Sequence, residues 1–168
     1  MTDTVSDRAA TPGPETNGPA RIVVGIDGST ESVRALRWAA QLAAATGATL
    51  EAVGAWEWPT SYGWSSIPMD WDPAKDTDKI LTAAVDELFG AHRPASLVLT
   101  VQEGHAAQVL LTAAEGALLL VVGSRGHGGF AGMLLGSVST SCTEHATCPV
   151  LVMHGDVALP ELPERVPA

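Results

Sequence analysis

Short runs of aliphatic and β-branched residues alternate with longer stretches of helical period along most of the chain. Residues 21–26 read Arg-Ile-Val-Val-Gly-Ile, an unbroken apolar run of strand length that suits a strand buried on both faces. Asp27-Gly28-Ser29 then turns the chain, and Ser29 is an N-cap for a helix that carries Val33, Leu36, Ala40 and Ala43 on one face. Gly47 stops that helix, and residues 49–56 form a second strand. Asp72-Pro73 pairs an N-cap with proline at the first helical position, ahead of a face made by Ile80, Leu81, Ala84, Val85 and Leu88. Residues 96–102 predict a third strand, 106–114 a third helix, and 117–122 a wholly apolar fourth strand. A glycine-rich loop precedes a fourth helix at 137–145, and residues 149–153 close the pattern as a fifth strand.

This order, βαβαβαβαβ, predicts an open, parallel, doubly wound α/β sheet, because strand–helix–strand crossovers between parallel strands are right-handed. Ligands of such sheets lie at the carboxyl ends of the strands, where the strand order reverses. Residues 1–20 are almost without apolar side chains and read as a disordered N-terminal tail. Residues 155–168 alternate proline with glutamate and read as a flexible C-terminal tail, leaving one domain at 21–154. Residues 57–73 stand apart as a long loop with Trp58, Tyr62, Trp64 and Trp71 between prolines and glycines. Together with Trp56, these aromatics are placed either to stack on a base or to form a flap on the sheet edge or on a partner subunit.

Composition narrows the functional classes. Apolar residues make up 46% of the 168, enough for a core, yet no run approaches the roughly 20 residues of a spanning helix. No basic segment followed by an apolar stretch opens the chain, so it is expected to be cytoplasmic and without membrane contact. The two cysteines, Cys142 and Cys148, suit a reducing compartment, and no His/Cys pair has zinc-ligand spacing. A net charge of −10 argues against nucleic acid as a partner. It also means that a phosphate ligand must be attracted by local donors against the global field.

Such donors are concentrated after the fourth strand. Val122-Gly123-Ser124-Arg125-Gly126 leads, nine residues on, to Gly136-Ser137-Val138-Ser139. The glycines are expected to admit a bulky anion and to take positive φ. The helix start at Gly136 presents unpaired amides and a positive dipole end. Ser137 and Ser139 add hydroxyl donors, and Arg125 adds a permanent cation. There is no Gly-Lys-Ser/Thr of a P-loop, and the dinucleotide fingerprint is missing after the first strand. Asp27 has two readings, a turn former that bonds nearby amides or a carboxylate facing the pocket. His127 is either a phosphate contact or a surface histidine. His92, His105, His145 and His154 show no triad or metal spacing.

The first-strand segment 22–29, the 122–139 segment and Cys148-Pro149-Val150-Leu151-Val152 resemble the universal stress protein family, over about residues 21–154. The glycine spacing is similar to that of its ATP-binding subclass. The resemblance implies an adenine nucleotide alpha hydrolase-like fold with strand order 3-2-1-4-5 and a homodimer paired through the last strand. It also implies ATP, alone or with magnesium, as ligand. Asp27 would contact the ribose or adenine side, and the backbone of Ala55 would hold the adenine. Val122, Gly123, Arg125 and Gly126 would wrap ribose and phosphates, and Gly136, Ser137, Val138 and Ser139 would hold the triphosphate. Leu118 and Ala106 depart from the family, which often has an acidic residue and a proline at those positions. No catalytic residue or protein-held metal is implied. The leading functional reading is a non-enzymatic, nucleotide-dependent stress-response regulator with an unknown protein partner. A slow ATPase or nucleotide-hydrolysing enzyme of the same fold and a nucleotide-free interaction module are the alternatives.

Overall fold

A computed structural model describes residues 20–58, 71–126 and 134–158. Five strands alternate with four helices in that part of the chain: β1 (Arg21–Gly25), α1 (Thr30–Thr46), β2 (Thr49–Trp56), α2 (Pro73–Phe89), β3 (Leu97–Glu103), α3 (Ala106–Ala113), β4 (Leu119–Gly123), α4 (Ser137–His145) and β5 (Val150–Met153). All pairings are parallel and the order is β3-β2-β1-β4-β5, as the family resemblance implies. The central pair β1 and β4 is buried on both faces, which explains its unbroken Ile, Val and Leu content.

Helices α1 and α2 cover one face, and the core there gathers Ile22, Val24, Leu36, Leu50, Leu81, Val85 and Val121. Helices α3 and α4 cover the other, over Val23, Val53, Leu110, Leu120, Val122 and Cys142. Small residues set the approach of α1, whose buried stripe is Ser32, Ala35, Leu36, Ala39 and Ala43. Val33 and Ala40, expected at its centre, pack at the margin. In α2, Leu81, Ala84 and Val85 are buried, but Ile80 is 41% exposed. At 100° per residue Ile80 lies a quarter turn from the stripe's axis, so a sequence count that included it was one position too generous.

Caps follow the sequence closely. The Ser29 hydroxyl accepts from the Ser32 amide at 3.2 Å, and Gly47 ends α1 in the left-handed conformation at φ 72°. The Asp72 carboxylate accepts from the Lys75 amide at 3.1 Å, and hydrogen bonding to Lys75 holds its carboxyl below the usual range. β4 begins two residues later than expected. A turn through Gly116 (φ 67°) carries an Ala117-to-Ala114 hydrogen bond of 3.0 Å and leaves Leu118 47% exposed. Cys142 and Cys148 are both free thiols; burial pushes Cys142 up to about 11 and raises Cys148 as well. Among the described residues no helix is long and apolar enough to cross a membrane.

The contrast within α2 is measurable. Leu81→Ala should lower unfolding free energy by about 2–5 kcal/mol in urea titration, as a fully buried leucine does. Ile80→Ala should cost less than about 1 kcal/mol.

Candidate functional site

The carboxyl ends of β1, β2 and β4 open into a cavity of about 550 Å³, closed on its other sides by α3 and the start of α4. Strand order reverses between β1 and β4, so the chain leaves β1 towards one face and β4 towards the other. All ten residues singled out from the sequence line this one cavity: Asp27, Ala55, Val122, Gly123, Arg125, Gly126, Gly136, Ser137, Val138 and Ser139. The sequence reading missed the apolar wall made by Ile26, Val53, Ala106, Leu110 and Leu135, and also Gly25 and Ser32. Strand alternation puts Val53 two residues before Ala55 on the same face, and that signal could have found it. Nothing local marks Leu110, which reaches the site only by the crossing of α3 over β1 and β2.

The open end of α4 dominates the polar side. Its first intrahelical bond runs from Thr140 N–H to Gly136 O at 2.9 Å, so the amides of Ser137, Val138 and Ser139 have no partner within the helix. Its N-cap is Gly136, and no side chain caps it. By contrast α1, whose first turn also borders the cavity, is closed by Ser29, whose hydroxyl in turn donates to Asp27 Oδ1 at 2.6 Å. Three helix N-termini therefore border the crevice, since Ala106 opens α3 there; α1 is capped by a side chain, and α3 and α4 are not. Beside α4, Arg125 forms no ion pair among the described residues, whereas Arg21, Arg34, Arg37, Lys75, Lys79 and Arg93 each pair with a carboxylate.

The glycines act differently from expectation. None of Gly123, Gly126 and Gly136 takes positive φ; that conformation falls instead at Gly28, Gly47, Gly90, Gly104, Gly116 and Gly155. Close approach to backbone is what requires Gly123. A Cβ on Gly123 would stand 2.8 Å from Glu31 Cβ, where the first turn of α1 crosses the end of β4. A Cβ on Gly126 would run into the Asp27 carboxylate. At Gly136 a Cβ meets only ordinary contacts, Arg125 Cα and Ser124 O at 3.6 Å, so the fold itself admits a side chain there.

Hydroxyl roles also divide. Ser137 is exposed at the cavity, but Ser139 is buried and its hydroxyl donates to Gly123 O at 2.6 Å. The Ser139 hydroxyl proton is thus committed to the loop carbonyl, and only the backbone amide remains as a donor towards the cavity. Asp27 follows its turn-forming reading in part, since Oδ1 accepts from the Ser29 amide at 2.9 Å as well as from the hydroxyl. Trp56, Trp58 and Trp71 do not line the cavity. They pack edge-to-face in series, with centroids 5.8 and 6.0 Å apart. Tyr62, Trp64 and His127 lie outside the described residues. Among the described residues no group of three His, Cys, Asp or Glu side chains could hold a metal.

Gly123 and Gly136 should respond oppositely to substitution. Gly123→Ala should lower stability by about 1–3 kcal/mol, the usual cost of overpacking, because the new Cβ meets the backbone of α1. Gly136→Asp supplies a side-chain cap and should raise stability by a few tenths of a kcal/mol, roughly the gap between glycine and a good N-cap. Thermal and urea melts of both variants without ligand check this.

Comparison with known proteins agrees with the geometry. The family model described as the universal stress protein family matches residues 19–154. A universal stress protein of Mycolicibacterium smegmatis is 32% identical over 141 residues, covering 80% of this chain and 48% of that protein. One of Mycobacterium tuberculosis is 33% identical over 134 residues, covering 79% of this chain and 44% of its own length. The chain thus spans about half the length of the curated relatives it matches. Among solved structures, a universal stress protein in complex with cAMP is 30% identical, with TM-score 0.52, covering 81% of this chain and 97% of that one. Universal stress protein UspA from Lactobacillus plantarum shares the fold at TM-score 0.59 and 22% identity, over 80% of this chain and 97% of that one. With its strand order, its glycine-spaced loop and these matches together, the chain belongs to the universal stress protein family.

Proposed function

We propose that this protein binds ATP in the cavity at the carboxyl ends of β1, β2 and β4, and acts as a cytoplasmic, non-enzymatic nucleotide-dependent regulator. The observation that carries the reading is the start of α4, uncapped by any side chain, where three amides without a partner in the helix stand beside an arginine with no acidic partner among the described residues. Backbone N–H groups at a helix N-terminus with a nearby guanidinium form an anion site suited to phosphates. Such a site works despite a chain charge of −10, because the donors are fixed and local. The apolar wall of Ile26, Val53, Ala55 and Leu110 suits a purine, and Asp27 between the two ends suits ribose hydroxyls. Magnesium would arrive with the triphosphate, since the described residues offer no protein-held metal site. The similar structure with cAMP favours a second occupant, the cyclic nucleotide, which shares the purine, ribose and phosphate.

Hydrolysis is not what this lining supports. Phosphoryl transfer calls for a placed base or water-orienting group with metals and cations. Asp27 is the carboxylate among the described lining residues, and one of its oxygens is held by Ser29.

Calorimetry should give an ATP Kd on the order of micromolar, roughly −8 kcal/mol. In Gly136→Asp binding should fall more than about tenfold, because the new carboxylate occupies the amides and repels phosphate. Unchanged binding in that variant would refute the assignment, and cAMP displacing ATP at lower concentration would select the second occupant. In a coupled assay with magnesium, turnover should stay below about one per minute, against the roughly 10 per second of a typical enzyme. Sustained turnover lost in Asp27→Asn would instead make the protein an ATPase.

The quaternary reading follows from β5. It is an edge strand whose Val150, Leu151 and Val152 are only partly buried, and an apolar edge of this kind is a template for pairing. Pairing with its own copy closes both edges by two-fold symmetry. Light scattering at tens of micromolar should return twice the chain mass, and a monomer mass with and without ATP would exclude the dimer.

A further inference from the structure

Ser124, the residue after β4, is fully buried and engages three parts of the fold at once. Its amide donates to Met153 O at the end of β5 at 2.7 Å. Its carbonyl accepts the Gly136 amide at 2.7 Å and the Ser139 hydroxyl at 3.3 Å. Its hydroxyl lies 3.2 Å from His154 Nδ1. The carbonyl that orients the open end of α4 therefore belongs to a residue whose side chain is held from just beyond β5. In that segment, assigned to the tail from residue 155 onward by sequence, Gly155 turns the chain at φ 68° and the exposed Asp156 carboxylate lies 3.6 Å from Arg34.

We infer that His154 is a positioning residue for the phosphate end of the cavity, acting through Ser124. In the tautomer with the ring proton on Nε2, which this role requires, Nδ1 accepts the Ser124 hydroxyl proton. Without that acceptor the buried hydroxyl is left unpaired, and a buried donor left unmade is costly. The cost falls on the residue whose carbonyl holds the Gly136 amide and the Ser139 hydroxyl at the start of α4. The consequence is confined to the anion end, because the apolar wall lies on other elements. It also makes phosphate affinity responsive to whatever engages β5 and the residues after it.

The inference rests on the nucleotide reading above, and the test separates the two. ATP and adenosine are titrated calorimetrically into the full chain and into His154→Ala, His154→Asn, Ser124→Ala and the double alanine variant. His154→Ala should weaken ATP about five- to tenfold, as loss of one buried hydrogen bond does, and leave adenosine within about twofold. His154→Asn, whose carboxamide oxygen can accept from Ser124, should restore ATP affinity to within about twofold. On the Ser124→Ala background, His154→Ala should change nothing, since no hydroxyl remains to be satisfied. Unchanged ATP affinity in His154→Ala, an equal loss for adenosine, or an undiminished effect without Ser124 would each overturn the inference. Wild-type protein that binds neither ligand would overturn the nucleotide reading and this one with it.

Discussion

The site depends on one constraint: β1 and β4 lie side by side while the chain leaves them towards opposite faces of the sheet. No crossover can cover the carboxyl ends of that pair, so a crevice stays open there whatever side chains surround it. Everything placed at the crevice is placed by that divergence. The first turn of α1 crosses the end of β4 so closely that Gly123 has no room for a Cβ. The start of α4 returns from the other side and is tied to Ser124 by the Gly136 amide.

Within this frame the helices show where stability and function diverge. α1 and α2 begin with the side-chain caps that most stabilise a helix, Ser29 and Asp72. α4 begins with glycine at a position whose surroundings would accept a side chain. The fold therefore forgoes a few tenths of a kcal/mol at this end of α4, roughly the difference between glycine and a better cap. Local packing alone does not explain that choice, and the proposed function would, by placing an anion on the amides.

Electrostatics follow the same division between local and global. An acidic chain repels phosphate at a distance, and surface ion pairs absorb the charge of the other described lysines and arginines. Arg125 is spared that pairing and stands beside the open helix end. Fixed dipoles and one cation act over a few ångströms, whereas salt screens the diffuse field of the chain within about 10 Å.

How much of this was legible in the chain can be read element by element. Strand and helix order, the caps at Ser29 and Asp72, the stop at Gly47 and the glycine-spaced loop all rest on near-neighbour chemistry, and each stood in the sequence. So did the ten residues that turn out to share one cavity, once the loop's resemblance to a family supplied Asp27 and Ala55. Strand order came from that resemblance too, because local pattern says that strands are parallel but not which neighbour each one takes. What only the tertiary structure decided are relations between distant segments. Gly123 is needed for the close approach of α1 rather than for its own torsions, and Ser139 gives its hydroxyl to Gly123 instead of to the cavity. Leu110 enters the wall because α3 crosses β1 and β2, and His154, 30 positions from Ser124, holds its hydroxyl. Periodicity and capping depend on residues within a turn or two and are written locally. Close approach and the direction of a hydrogen bond depend on which elements the sheet brings together, and no stretch of sequence contains both partners.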